Sequence, residues 1–203
     1  SKANIGDLFL NAENISEFLK VWLSIDVLKG DSAKAFDAYY GSYRKKFPIR
    51  MQKVYSNQIA EAENIVRSLT RPNILEVGCG LGTESLWLAM AGANVTGIDL
   101  RPDRLSAAIE RKKFLESNIG RDIECEFRLE SLLDMPENSS FDLLWMEQTF
   151  HHLEPRKQMI SKVAKLIRPG GHIVISEANG WNFPLQIQLL LRRGRPKIKS
   201  MLG

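Results

Sequence analysis

The chain reads as an α/β protein built on an open parallel sheet with helices on both faces. Three observations carry that reading. A short apolar run, Ile74 to Val77, stops at three alternating glycines, Gly78, Gly80 and Gly82, and a helix-forming run begins at Thr83; this is the pattern of a strand, a tight turn and a helix. Strand-like and helix-like runs then alternate as far as Glu177, which implies parallel strands joined by right-handed crossovers. Polar residues, Asp99 and then Glu147 and Gln148, stand at the carboxyl ends of two strand-like runs, where open α/β sheets bind ligands.

Taken in order, residues 1 to 70 form a helical preface, with Leu8, Phe9, Phe18, Leu19, Trp22 and Leu23 as apolar positions and Gly30-Asp31-Ser32 as a break. A further helix is expected from Asn57 to Leu69, capped by Ser56 or Asn57, and the tyrosine-bearing segment Phe36 to Tyr43 lies between. Arg71-Pro72-Asn73 ends the preface. The pattern then gives a helix over Thr83–Met90, a strand over Asn94–Asp99, a helix over Pro102–Ser117 and a strand over Ile123–Arg128. After a polar loop come a strand over Phe141–Met146, a helix over Pro155–Ile167 and a strand over His172–Glu177. Arg168-Pro169-Gly170-Gly171 stops the last helix and reverses the chain. The expected organisation is therefore a preface (1–70), a cofactor-binding core (71–178) and a C-terminal segment (179–203) that would cover substrate.

With 203 residues, 44% hydrophobic and 26% charged, the chain has the composition of one globular domain with a sizeable core. The net charge of +4 is uneven, because Arg192, Arg193, Arg195, Lys197 and Lys199 sit beyond the last acid, Glu177. A broad nucleic-acid face is not expected. The apolar stretch from Trp181 to Leu191 followed by those cations could instead rest on an anionic membrane or a lipid-like acceptor, while a helix covering the substrate pocket is the plainer reading. Cys79 and Cys125 have no metal-ligand spacing, and neither a secretory leader nor a membrane span is visible, so a reducing, cytoplasmic setting is expected.

The glycine turn points to a particular cofactor. A dinucleotide fingerprint needs its third glycine or an alanine three residues after the second, but Thr83 occupies that place. Glu76 and Glu84 flank the turn where a pyrophosphate would want an uncompensated helix N-terminus. Acids there suit a cation, and S-adenosylmethionine (SAM) carries a sulfonium and an ammonium. Asp99, one helix and one strand beyond the glycines, is placed to accept both hydroxyls of a ribose. Arg101 next to it keeps an NADP-type alternative open, although Asp99 would repel a 2′-phosphate.

Ile74-Leu-Glu-Val-Gly-Cys-Gly-Leu-Gly-Thr-Glu84 closely resembles motif I of the class I SAM-dependent methyltransferases, a Rossmann-like family. Similar resemblance extends through Asp99, Glu130-Ser131, Phe141 to Leu153 and Leu166 to Glu177, covering about Arg71 to Ala178. By that resemblance Glu76 lies near the methionine end of SAM, and the backbone at Gly78, Cys79 and Gly80 passes along it. Leu100 would lie against the adenine, and Glu130, standing where Asp is usual, with Ser131, would receive the adenine amino group. Tyr40 and Tyr43 become lid candidates, Tyr43 as a cofactor contact. Glu147 and Gln148 would pass the transferable methyl, and His151 or His152 could act as general base. The implied activity is methyl transfer from SAM to a small-molecule acceptor, with no metal. An NAD(P)-dependent oxidoreductase and a catalytically silent cofactor-binding partner subunit are the alternatives. A complete member would continue to a sixth and a seventh strand, and residues 179 to 203 contain no two strand-like runs, so C-terminal strands are expected to be missing.

Overall fold

The computed structural model describes residues 4–137 and 141–177. The readings of a membrane-seeking tail and of missing C-terminal strands fall on residues 179–203 and lie outside the described residues.

Four helices precede the sheet: α1 (Ile5–Leu10), α2 (Ile15–Ser24), α3 (Gly30–Lys45) and α4 (Ile49–Ser68). Asn4 and Asn14 cap the first two, their side-chain oxygens accepting the amides of Gly6 (3.3 Å) and Glu17 (3.1 Å). Two expectations need correction. Gly30-Asp31-Ser32 does not break the chain but opens α3, since Gly30 turns it at φ +56° and the helix follows at once. The break is the extended stretch just before it, from Ile25 to Lys29. The last preface helix also starts far ahead of Asn57, at Ile49 after Pro48. Ser56 lies inside it and caps nothing; its hydroxyl is 2.6 Å from Ser16 Oγ and ties α4 to α2. The early turns of α4 escape a sequence reading because Arg50 and Lys53 occupy the end where the helix dipole favours acids.

From Asn73 the chain alternates as expected. The elements are β1 (Asn73–Val77), α5 (Thr83–Met90), β2 (Asn94–Asp99), α6 (Pro102–Ile119), β3 (Cys125–Leu129), β4 (Phe141–Glu147), α7 (Arg156–Leu166) and β5 (Ile167–Ser176). All pairings are parallel, in the order β3-β2-β1-β4-β5. The strand order reverses beside β1, so a crevice opens at the carboxyl ends of β1 and β4, where Val77 pairs with both Ile98 and Met146.

Strand alternation divides the core. Ile74, Leu143 and Trp145 join Phe18, Trp22, Ile59 and Leu86 on one face, whereas Leu75, Val77, Leu144 and Met146 meet Met159 and Leu166 of α7 on the other. The preface thus shares one continuous core with the sheet. β5 begins earlier than expected: Ile167 pairs with Phe141 and His172 with Leu143, leaving Arg168 to Gly171 as a bulge. Gly170 takes φ +78° there, and a Cβ on Gly171 would lie 2.7 Å from Ile167 Cγ2, so the Pro-Gly-Gly sequence serves the bulge within the strand.

Gly82 takes φ +76° before α5, and a Cβ there would sit 2.5 Å from Phe127 Cζ of β3. Gly82→Ala is therefore expected to lower the unfolding free energy by about 2 kcal/mol or more, from backbone strain and overpacking together. Urea denaturation measures it. A loss within about 0.5 kcal/mol, the range of an uninvolved surface position, would show that Phe127 moves aside.

Candidate active site

The turn from Gly78 to Gly82 is anchored by its neighbours before any ligand arrives. The amides of Gly78 (2.8 Å) and Cys79 (3.0 Å) both donate to the Ile98 carbonyl at the end of β2. Asp99 Oδ2 accepts from the Gly80 amide (2.8 Å) and Oδ1 from the Arg101 amide (2.8 Å). Gly78 faces Thr149, whose Oγ1 would be 2.3 Å from a Cβ, and Gly82 faces Phe127. Gly80, also left-handed at φ +53°, has nothing within 4 Å of its missing Cβ. Two glycines admit protein neighbours, and the middle one leaves room on the ligand side.

That room belongs to a cavity of about 580 Å³, a size suited to a cofactor-sized molecule. Of the residues singled out from the sequence, Glu76, Gly78, Cys79, Gly80, Asp99, Leu100, Glu130, Ser131, Glu147, Gln148 and His152 line it. Leu100 is 70% exposed, an apolar side chain at the mouth. Ser131 accepts from the Leu133 amide (3.3 Å), starting a short turn. Gln148 holds φ +50°, its amide donating to the Ser176 carbonyl at 2.8 Å; a non-glycine residue in this region is strained.

Two assignments differ from expectation. Tyr43 is not among the lining residues; it packs between Phe47 (5.0 Å between ring centroids) and Tyr40 (6.0 Å). Tyr39 and Tyr40, earlier on the same helix, line the cavity instead. Tyr40 is no lid, being buried with its hydroxyl 2.8 Å from Thr83 Oγ1. The histidines also separate: His152 faces the cavity, whereas His151 Nδ1 lies 2.7 Å from Glu177 Oε2 and outside the lining.

The electrostatics are unusual. Glu76, 2% exposed, accepts the Ser85 hydroxyl, and burial together with Glu84 pushes its carboxyl well above the usual carboxylate range. Glu84 is likewise raised by burial although the Tyr55 hydroxyl donates to it at 2.6 Å. Glu147 is pushed up to about 8 by burial, then by Glu84 and Glu177. These acids face one cavity, and desolvation favours their protonated forms. Burial also raises the Cys79 thiol well above its ordinary value, leaving it a poor nucleophile. Among the described residues no group of three His, Cys, Asp or Glu side chains could hold a metal ion.

Sequence reasoning missed Arg111. It is fully buried on α6, its Nη1 donating to the Leu81 carbonyl (2.6 Å) and to Thr83 Oγ1 (2.8 Å). Its guanidinium lies 4.4 Å from the Trp22 ring and 5.3 Å from the Phe36 ring. The signal was present: Ala107, Ala108, Arg111 and Leu115 share one helical face, and a cation there needs buried partners.

Comparison with known proteins agrees with this geometry. Residues 75–175 match the family model described as a methyltransferase domain. That stretch of the chain is a methyltransferase domain of this family. It is 33% identical over 129 residues to a ubiquinone biosynthesis O-methyltransferase of Idiomarina loihiensis, covering 64% of this chain and 51% of that protein. Among solved structures it resembles the PH0226 protein of Pyrococcus horikoshii (TM-score 0.57, 20% identity, 81% of this chain and 69% of that one), a likeness of fold. It also resembles a SAM-dependent methyltransferase of Methanosarcina mazei (TM-score 0.51, 27% identity, 61% of each chain). The chain spans about half the length of the curated relatives it matches, 51%, 37% and 44% for three of them. The family match leaves the NAD(P) hydride-transfer alternative without support.

Arg111→Met would keep the stem between Trp22 and α6 but leave the Leu81 carbonyl without its donor, while the Thr83 hydroxyl keeps Tyr40. The expected cost is about 1–3 kcal/mol, the penalty for stranding a buried acceptor, measured by chemical denaturation. An unchanged midpoint would show that the turn finds another donor.

Proposed function

We propose that the chain binds SAM in the 580 Å³ cavity and transfers its methyl group to a hydroxyl of a small-molecule acceptor. The observation that carries this reading is the set of carboxyls, Glu76, Glu84 and Glu147, around a glycine turn whose middle residue leaves open space. A cation entering there favours their ionised forms and recovers part of their burial cost. Asp99, whose two oxygens each hold one backbone amide, keeps lone pairs for ribose hydroxyls. Leu100 and Glu130 stand on the adenine side.

When bound, SAM supplies an electrophilic methyl on a sulfonium. The chain's own part is to hold the partners in line and to exclude water. Apolar Leu133, Leu153 and Met159 in the cavity lining suit an uncharged ring or chain next to the acceptor oxygen. His152 serves as the base for the hydroxyl proton, lining the same cavity as Glu147, and His151, held by Glu177, steadies it through the ring contact (3.9 Å between centroids). The name of the Idiomarina relative, an O-methyltransferase of quinone biosynthesis, supports an oxygen acceptor. The buried free thiols of Cys79 and Cys125 fit a reducing, cytoplasmic setting. No described helix is long and apolar enough to cross a membrane.

Calorimetric titration with SAM, its demethylated product and NADH tests the reading. Micromolar binding of SAM or its product, weakened at least about tenfold in Asp99→Ala by loss of charge-assisted hydrogen bonds, is expected. Binding of NADH alone would overturn it, and binding without turnover against phenolic acceptors would favour a silent cofactor-binding subunit.

The pH dependence follows from Glu147. Between its ordinary value of 4.5 and its folded value of about 8, the folded protein holds a proton that the unfolded chain has released. Stability of the free protein therefore falls as pH rises through that window. A cationic ligand reverses this preference, so SAM affinity should rise with pH up to about 8 and binding should release protons. The heat of binding measured in buffers of different ionisation enthalpy reports that release; proton uptake would contradict it.

His152→Ala should lower turnover about a hundredfold or more while SAM affinity holds, and His151→Ala much less. Equal, unchanged rates in both variants would remove the histidine from the chemistry.

A further inference from the structure

The corner where α3 meets α4 carries a surface that the cavity does not use. From Ala38 to Ala60 the sequence has no acid and five cations, Arg44, Lys45, Lys46, Arg50 and Lys53. Arg44 is engaged with Asp37 (3.0 Å) and Asp26 (3.9 Å). The other four are exposed and make no ion pair among the described residues. Between them stand Ile49, Met51 and Val54, which are 70%, 38% and 54% exposed. At 3.6 residues per turn, Ile49, Lys53, Arg50 and Val54 fall within an arc of roughly 140° on α4, so cations and apolar side chains share one face.

Lys45 and Lys46 suit the C-terminal end of α3, but helix stability does not explain Arg50 and Lys53. α4 starts at Pro48 with no side-chain cap and no acid in its first turn, and its positive dipole end is surrounded by cations. Core packing does not explain this placement either, since the buried face of the helix is carried by Ile59, Ala62, Ile65 and Val66 further along. Exposed β-branched side chains set among unpaired lysines and arginines match the boundary of an anionic bilayer, with its apolar interior beneath phosphate. A nucleic-acid backbone offers the phosphates but nothing for Ile49 and Val54.

We propose that the α3–α4 corner docks the protein on an anionic lipid surface, Ile49 and Val54 entering the headgroup boundary while Lys45, Lys46, Arg50 and Lys53 face lipid phosphate. The corner connects to the cavity through one aromatic cluster. Phe47 packs 6.2 Å from Tyr55 between ring centroids, and the Tyr55 hydroxyl donates to Glu84, which lines the cavity. These contacts couple the docked corner to the cavity wall, and the docking does not depend on which acceptor is used.

The test is sedimentation of the whole chain with vesicles of phosphatidylcholine, with and without phosphatidylglycerol, at low and high salt. Binding is expected to the anionic vesicles alone and to weaken with salt. One variant carries Lys45→Glu, Lys46→Glu, Arg50→Glu and Lys53→Glu; a second carries Ile49→Ser and Val54→Ser. Each should bind at least about tenfold more weakly. Acids at 50 and 53 favour the dipole of α4, whereas acids at 45 and 46 oppose that of α3, so a variant with Arg50→Glu and Lys53→Glu alone should melt no lower than the parent and still bind more weakly, separating lost docking from lost folding. A further variant replaces Arg192, Arg193, Arg195, Lys197 and Lys199 by Ser. Full binding by the corner variants with loss in this one would overturn the proposal in favour of the tail. So would absence of binding to anionic vesicles, or a stronger, competing affinity for single-stranded RNA.

Discussion

The site depends on one constraint: the turn after β1 must hold three left-handed glycines while its polar backbone is spoken for by other elements. Ile98 at the end of β2 takes the amides of Gly78 and Cys79, Asp99 takes that of Gly80, and Arg111 from α6 donates to the carbonyl of Leu81. These bonds come from residues far apart in the chain, so the turn is rigid only once the sheet and α6 are assembled. A loop fixed in this way presents its backbone to a ligand with little ordering left to do on binding.

Arg111 carries that constraint into the preface. A guanidinium without solvent is costly unless its surroundings compensate, and here the compensation is the Leu81 carbonyl, the Thr83 hydroxyl and the faces of Trp22 and Phe36. Nε and Nη2 have no hydrogen-bond partner among the described residues, so the ring faces bear part of the load. Tyr40 closes the same circuit by meeting the Thr83 hydroxyl. The preface helices therefore hold up the floor of the cavity as well as forming its wall, and they share the hydrophobic core of the sheet.

Charge within the cavity follows from the same packing. Glu76 is buried because β1 is the central strand, Glu84 is half-buried because Tyr55 of α4 covers the start of α5, and Glu147 is half-buried because β4 ends against the turn. Each carboxyl is raised mainly by desolvation, and Glu84 adds to the shifts of Glu76 and Glu147. Such a cavity is costly as long as it holds no cation, which is a physical reason for it to prefer one. The cations of the α3–α4 corner lie outside, exposed to solvent and free to act on a different partner.

The order of strands and helices from Asn73 onward, the glycine turn and the place of Asp99 were legible in the sequence, because they rest on local periodicity and on the steric demands of glycine. Glu76, Glu147 and His152 were legible as candidates because they sit at the ends of recognisable strands or just beyond them. The start of α4 was not, since cations occupy its first turns against the dipole and packing on α2 and α5 overrides that local preference. Nor could spacing tell Tyr43 from Tyr39, or His151 from His152. Neighbours on a helix or short turn point in different directions, and the packing of α3 and the reach of Glu177 decide which one meets the cavity. Arg111 marks the same boundary: its position on an apolar helix face is written in the sequence, but its partners are brought to it only by the fold. Local pattern thus determined the family and the cofactor-binding architecture. The tertiary structure decided which side chains converge and which acids are desolvated, because burial and convergence depend on residues distant in the chain.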